Sequence, residues 1–453
     1  MLNYTAYRRL HIRQKASMQK IIGLDFGTTN SAIALATEDG NVKLAKFPEN
    51  DHFTTTCRSV LYFNDKNTKI DGQPNALVGQ DAIKSYLEAE TAGRLIQSTK
   101  SYLTSRSFTK TNLCNHSYAL EDLIAIIINR LRKEAERQFG DIGNSIVIGR
   151  PVNFSGAKTK EDEDLAINRL RAAVEKCGFT DIIFEFEPIG AAYYYEKQLD
   201  HDELVLIADF GGGTSDFSLM HLGTSIDKKQ NRATSILGTD GVAIAGDTFD
   251  SRIVRNLVAP YLGFKSFYKS MGKLLEMPYW VYEKLGRWHH VSFLKTRENM
   301  NILRELRGQA VEQKKIDALM YLIKEDLGYK LYRSVEQTKV ELSDKEKNMF
   351  VFKEILPFIE EIVIRESFEN WVNKDIEAIS SCVDRLLAKC GVSTKEIDSV
   401  FLTGGSSFVP AVRNIFQQKF GAQRLRGGEE LTTVAKGLAL RGLDRFQTTT
   451  SAT

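Results

Sequence analysis

Apolar runs recur along the chain, broken by polar, glycine-rich turns, and three of these breaks follow one another in order. In IIGLDFGTTNSAIAL, residues Asp25, Gly27, Thr28, Thr29 and Asn30 separate two strand-like runs. LVLIADFGGGTSDFSLM repeats the arrangement with Asp209, Gly211, Gly212, Gly213, Thr214 and Asp216. SVFLTGGSSFVPAV differs: Gly404, Gly405 and Ser406 follow a strand-like run, and Pro410 is placed to open a helix. Apolar residues on both sides of the first two turns predict β-hairpins, not the strand-to-helix step of a Walker or dinucleotide loop.

Helical periodicity leading into a strand occurs once in each half. Leu120 to Phe139 runs into Ile146–Ile148, and Ile376 to Lys389 runs into Val400–Leu402. Each half then closes on a helix rich in small residues, Gly190-Ala191-Ala192 in one and Ala435-Lys436-Gly437 in the other. This order predicts two related α/β lobes, with small residues allowing the closing helices to cross tightly as a hinge or to pack in the ordinary way. A chain of 453 residues also exceeds what one hydrophobic core usually supports.

Glycine tolerates positive φ, and without side chains its backbone N–H groups can close around phosphate oxygens. Asp25 and Asp209 end their strands beside such turns, where a carboxylate can hold hydrated Mg²⁺. A single glycine hairpin is commonly structural. Two hairpins followed by a Gly-Gly-Ser turn of another type point to a phosphate-bearing ligand.

Composition narrows the classes. The 61 basic and 58 acidic side chains leave a net charge of only +3, which does not predict wholesale binding to nucleic acid or an anionic membrane. The most apolar stretch, LIAIII at residues 123–128, is far too short to span a bilayer. Five cysteines, at 57, 114, 177, 382 and 390, form no Cys-x-x-Cys pair and suit a reducing, cytoplasmic setting. Residues 1–17, with Arg8, Arg9, Arg13 and Lys15, read as a basic disordered extension ahead of Met18, since no apolar core follows the charges.

The constellation resembles the phosphate-one, phosphate-two and adenosine motifs of the actin, sugar-kinase and heat-shock-chaperone superfamily, and within it the DnaK-type chaperones match best. The matching residues are Asp25 to Thr29, Arg150-Pro151-Val152-Asn153-Phe154, Glu187-Pro188-Ile189-Gly190-Ala191-Ala192, Asp209 to Asp216, Glu336-Gln337-Thr338-Lys339-Val340-Glu341-Leu342-Ser343, and Gly404 to Ser406. The likeness runs from about Lys20 to about Arg441, with Leu262 to Lys330 poorly matched. The short YegD-like chaperone proteins look closer still, through Gly149 to Phe154 and Lys100-Ser101-Tyr102-Leu103.

The resemblance implies duplicated ribonuclease H-like, actin-like ATPase lobes around a nucleotide cleft, at 18–204 and 205–430. A variable helical subdomain is expected at about 262–345, a closing helix at 431–446 and a disordered tail at 447–453. It implies ATP or ADP with Mg²⁺ as cofactor, the ion held through water by Asp25 and Asp209. Gly27, Thr28, Thr29, Asn30, Gly211, Gly212 and Gly213 would cradle the phosphates. Lys100 in STKSYL would be the catalytic lysine, with Arg94 in AGRLIQ as the rival alignment. Glu187 would orient or deprotonate the water, Asp216 would assist and Thr214 would bond the γ-phosphate, Asp209 acting in catalysis as well as on the metal. On the adenosine side stand Glu336, Lys339, Ser343, Gly404, Gly405 and Ser406. Phe408 takes the place of the family's usual adenine-stacking arginine, offering a ring without a cation.

The family's acidic linker and peptide-gripping β-sandwich are not seen after Gly442 to Phe446, and the arginine expected after Pro151 is not identifiable in SGAKTKEDED. The segment 262–330 holds Trp280, Trp288, His289 and His290, either a packed subdomain or a partner surface, with no third ligand at zinc spacing. The sequence therefore predicts a slow, Mg²⁺-dependent ATPase acting as a conformational switch on an unknown partner or client, with no feature speaking for filaments. A non-hydrolysing, nucleotide-gated binding protein and a small-molecule kinase of the sugar-kinase branch are the alternatives.

Overall fold

A five-strand path forms the first sheet, in the order Asp181–Phe186, Ser145–Arg150, Lys20–Phe26, Asn30–Thr37 and Val42–Leu44, with Cys57–Arg58 added beside Asn30–Thr37. This is seen in a computed structural model that describes residues 20–49, 52–64, 76–89, 93–224, 235–286, 291–427 and 432–450. Lys20–Phe26 pairs antiparallel with Asn30–Thr37 on one side and parallel with Ser145–Arg150 on the other. The second sheet repeats the scheme: Ile236–Val242, Ser215–Leu222, Glu203–Phe210, Ser399–Thr403 and Leu425–Gly427. Its first three strands are antiparallel and its last three parallel.

The outer parallel pair of each sheet is joined by a helix, Lys160–Lys176 in the first lobe and Pro410–Phe420 in the second. Helices cover the sheets, so the strand Glu203–Phe210 is buried along its whole length. Such a strand reads as a continuous apolar run rather than an alternating one. The duplication expected from the sequence is thus the architecture of the molecule: two α/β lobes of one actin-like design.

The two lobes exchange helices. Glu187–Glu196 leaves the first sheet and packs on Glu203–Phe210 and Ser215–Leu222 of the second. Thr433–Thr450 leaves the second and lies across Lys20–Phe26 and Asn30–Thr37 of the first. Where these helices cross, Ile189, Ala191 and Ala192 meet Val434, Ala435, Leu438 and residues of both sheets in one buried apolar cluster. Small residues permit the approach: a Cβ on Gly437 would stand 1.6 Å from the Gly190 carbonyl oxygen.

Three elements differ from expectation. The helix read as Ile376 to Lys389 is Arg365–Cys390, its amphipathic face extending through Phe368 and Val372. The last helix reaches Thr450 rather than 446, because the run after Phe446 holds neither Gly nor Pro to stop it; residues 451–453, like the basic extension 1–17, lie outside the described residues. The segment read as helical at about 262–345 also carries a hairpin, Phe267–Ser270 with Lys273–Glu276, before helices Tyr279–Leu285, Arg297–Gln309, Gln313–Lys324 and Gly328–Asp344. Trp280 is on the first of these; Trp288, His289 and His290 lie outside the described residues. Among the described residues no helix is long and apolar enough to cross a membrane.

Candidate functional site

The two hairpin turns face each other across the interlobe cleft. Gly27 has no room for a side chain, since a Cβ would sit 2.1 Å from the Asn30 carbonyl oxygen. The second turn closes through Gly211 N–H on the Thr214 carbonyl at 2.9 Å. A Cβ on Gly212 would lie 2.7 Å from Thr29 Oγ1, which measures how closely the loops approach. Among the described residues the N–H groups of Thr28, Thr29, Gly212 and Gly213 have no acceptor, so they are free to bond an anion. The third turn joins them through Ser406 Oγ, which donates to the Gly211 carbonyl at 3.2 Å. Gly404 takes φ 83° and abuts the Phe210 carbonyl, leaving no space for a Cβ.

Beneath the turns, Asp25, Lys100, Glu187 and Asp209 line one cavity of about 200 Å³ with Gly27 to Asn30, Gly211 to Thr214 and Gly404 to Ser406. Lys100 Nζ lies 2.6 Å from Glu187 Oε1, and both side chains are about nine-tenths buried. Arg94, the rival for the lysine's place, is on the exposed end of the strand Arg94–Gln97 and outside this cavity.

Crowded carboxylates set the electrostatics. Burial, then repulsion by Glu187, pushes the Asp25 carboxyl up to about 7, with Lys100 partly opposing. Burial and the Glu187 charge raise Asp216 to about 7 as well, against the Thr214 hydroxyl and the Val152 N–H, which donates to Asp216 Oδ1 at 2.8 Å. Asp209 is raised by burial and by Glu187, Asp25 and Asp216 together. Burial disfavours the Lys100 ammonium, but Glu187, Asp25 and Asp216 outweigh it and keep Lys100 above its ordinary value. One lysine cannot balance these groups, and the excess negative charge suits a divalent cation. No three carboxylate, His or Cys side chains among the described residues are arranged to hold a metal directly, so an ion here would keep water in its shell.

A pH dependence follows. Asp25 and Asp216 take up protons near pH 7 when folded but near 3.8 when unfolded. Their contribution to stability is complete below the lower value and is lost as pH rises through the upper one. The melting temperature of wild-type protein without nucleotide or metal should fall relative to Asp216→Asn between about pH 5 and about pH 8. A gap between the two proteins that stays constant over that range would contradict the assignment.

The far side of the cleft is built by the helix Gly328–Asp344. Glu336 and Lys339 line the cavity, yet each already has a charged partner. Lys339 Nζ lies 2.9 Å from Asp250, which is buried on the helix Gly246–Ile253, and Glu336 takes a two-pronged bond from Arg58 at 2.9 and 3.2 Å. Ser343 is not brought to the cavity, because its hydroxyl turns back to the Lys339 carbonyl at 3.2 Å. Phe408 stands 49% exposed beside the adenosine-side turn and outside the cavity lining, while Val409 takes the core position at 2%.

Arg58, Asp247 and Asp250 were not singled out by the sequence. Arg58 lies on a two-residue strand with no local signal, placed only by pairing with Asn30 across the sheet. Arg150 was named only as part of a matching motif, with no role of its own. SGAKTKEDED, shortly after Pro151, holds no arginine, but Arg150, just before that proline, bonds the Pro151 and Val152 carbonyls at 3.0 and 3.1 Å and Glu163 at 2.6 Å, clamping the segment that reaches Asp216.

Open N–H donors, close-packed glycines and surplus carboxylates fit a magnesium-bound polyphosphate. Asp25 and Asp209 would hold the ion through water, and the hairpin amides would hold the phosphates. Bound there, such a ligand would supply a phosphoanhydride for cleavage, with Glu187 as the group that would take a proton and Lys100 as the one that would face negative charge. A family model described as Hsp70 protein matches residues 21–266 and 300–443 of the chain.

Proposed function

The chain belongs to the Hsp70 family, and we propose that it binds Mg·ATP between its lobes, hydrolyses it slowly, and uses opening and closing of the cleft as a switch on a partner protein. The observation that carries this reading is the apposition of the two glycine hairpins over the Lys100–Glu187 pair. Lys100 and Glu187 would place and deprotonate the attacking water, Asp216 would assist, and Thr214 would bond the γ-phosphate. Glu336 and Lys339 would meet the ribose while still held by Arg58 and Asp250, and Gly404 to Ser406 with Phe408 would meet the base. The variants Lys100 to Leu103 and Gly149 to Phe154 support a place among the short YegD-like members. All five cysteines are unpaired, which supports action in a reducing cytoplasm.

Calorimetry should register Mg·ATP binding well below millimolar concentration, with a rise in melting temperature, since a ligand specific to the folded state must stabilise it. No binding at millimolar ATP would end this reading. Binding without turnover would favour the nucleotide-gated alternative, and ADP formed only with an added sugar would favour a kinase.

Arg58 and Glu336 join the first lobe to the second over the cavity, so they would resist opening. Arg58→Ala is expected to speed ADP release roughly tenfold, on the scale of one charge-assisted pair. Stopped-flow displacement of a fluorescent ADP analogue measures it, and an unchanged rate would remove the pair from the opening step.

A further inference from the structure

Away from the phosphate cleft, a second cavity of about 80 Å³ lies between the lobes. The first lobe contributes the strand Arg94–Gln97, the turn Thr99–Tyr102 and Leu123; the second contributes Asp326 and Tyr329. Thr99 is only 2% exposed, and among the described residues its hydroxyl oxygen has no hydrogen-bond partner. A hydroxyl buried in this state is destabilising until something bonds it. The surrounding walls are largely apolar and firmly held. Arg169 donates to the carbonyls of Tyr102, Leu103, Ser105 and Phe108, fixing one side. On the other, the Tyr86 hydroxyl donates to the Asp326 carbonyl at 2.5 Å, and its ring meets Tyr329 edge-on at 5.8 Å.

We propose that this cavity binds a small, mostly apolar molecule carrying one hydrogen-bonding group, of the kind represented by a short-chain alcohol such as ethanol or 1-propanol. The polar end meets Thr99, and the chain packs on Leu95, Leu123 and Tyr329. Its volume, about half that of an apolar cavity that takes benzene, admits a short chain and excludes a ring or a nucleotide. Because Asp326, Gly328 and Tyr329 belong to one lobe and the remaining walls to the other, an occupant stabilises the closed arrangement and slows nucleotide release. Thr99 also precedes Lys100 on the same turn, so the occupant braces the lysine's own backbone. The effect on release rests on the cleft-closure reading of function; the binding itself does not.

Ethanol and 1-propanol serve as probes, followed by ligand-observed NMR on the full chain and by release of a fluorescent ADP analogue. Saturable binding at about millimolar concentration is expected, weakened about fivefold in Thr99→Val by loss of one hydrogen bond. Leu95→Phe, which fills the cavity, should abolish it, with melting temperature checking that both variants fold. ADP release should slow several-fold when the site is occupied. Absence of saturable binding, or equal binding by wild type and both variants, overturns the proposal. Binding with unchanged ADP release keeps the site and overturns only its action on cleft opening.

Discussion

Lys100→Ala is expected to lower ATP turnover by about two orders of magnitude while ATP affinity stays within several-fold, because the lysine would act mainly on charge that develops during phosphoryl transfer. Its surroundings support that part. Its ammonium sits 2.6 Å from Glu187 in the floor of the cavity, and the surrounding carboxylates keep it charged despite burial. Removing it leaves Asp25, Glu187, Asp209 and Asp216 without their cation, so the variant should bind Mg²⁺ more tightly and melt earlier in its absence. Arg94→Ala should change turnover little, since that side chain is outside the cavity. Single-turnover hydrolysis with a separate affinity titration distinguishes the two. Were Arg94→Ala the more damaging change, the assignment of this stretch would be wrong.

The parts of the site legible in the sequence are those made locally. A hairpin turn is specified by its own few residues and the apolar runs beside it, so Asp25 to Asn30 and Asp209 to Asp216 could be placed before any contact was known. The same holds for Gly404 to Ser406, where the strand Ser399–Thr403 and Pro410 bound the turn on both sides. Helix periodicity was also informative, although it assigns a face and not a partner. It put Glu336 and Lys339 together but could not tell that Arg58 and Asp250 would engage them, nor that Ser343 would bond its own helix.

What escaped the sequence is made by tertiary pairing. Arg58 reaches Glu336 only because Cys57–Arg58 joins the edge of Ser31 and Asn30. The role of Arg150 escaped because the family pattern puts its arginine on the other side of Pro151, whereas here the same segment's carbonyls are met from the preceding residue. The hairpin Phe267–Glu276 lies where the chain leaves the family match, between residues 266 and 300, so resemblance had nothing to offer there.

The helix crossing yields the largest expected effect on stability. A Cβ on Gly437 would meet backbone on every side: the Gly190 oxygen at 1.6 Å, its carbonyl carbon at 2.6 Å and the Tyr194 nitrogen at 3.2 Å. None of these can rotate away, so Gly437→Ala must push the two helices apart and open the apolar cluster that joins both sheets. A loss of about 3 kcal/mol or more is expected, at or beyond the upper end of ordinary overpacking. Gly190→Ala should cost less, because its nearest neighbour is the Leu438 side chain at 2.9 Å, which can change rotamer, although the Val434 carbonyl at 3.0 Å cannot. Gly308 gives the control: it is inside the helix Arg297–Gln309 with nothing within 4 Å, and Gly308→Ala should stabilise by about 0.5–1 kcal/mol. Thermal melting of the three variants without nucleotide tests the order. If Gly437→Ala melts with wild type, the helices do not cross at this distance, and the route by which one lobe would feel the other lies elsewhere.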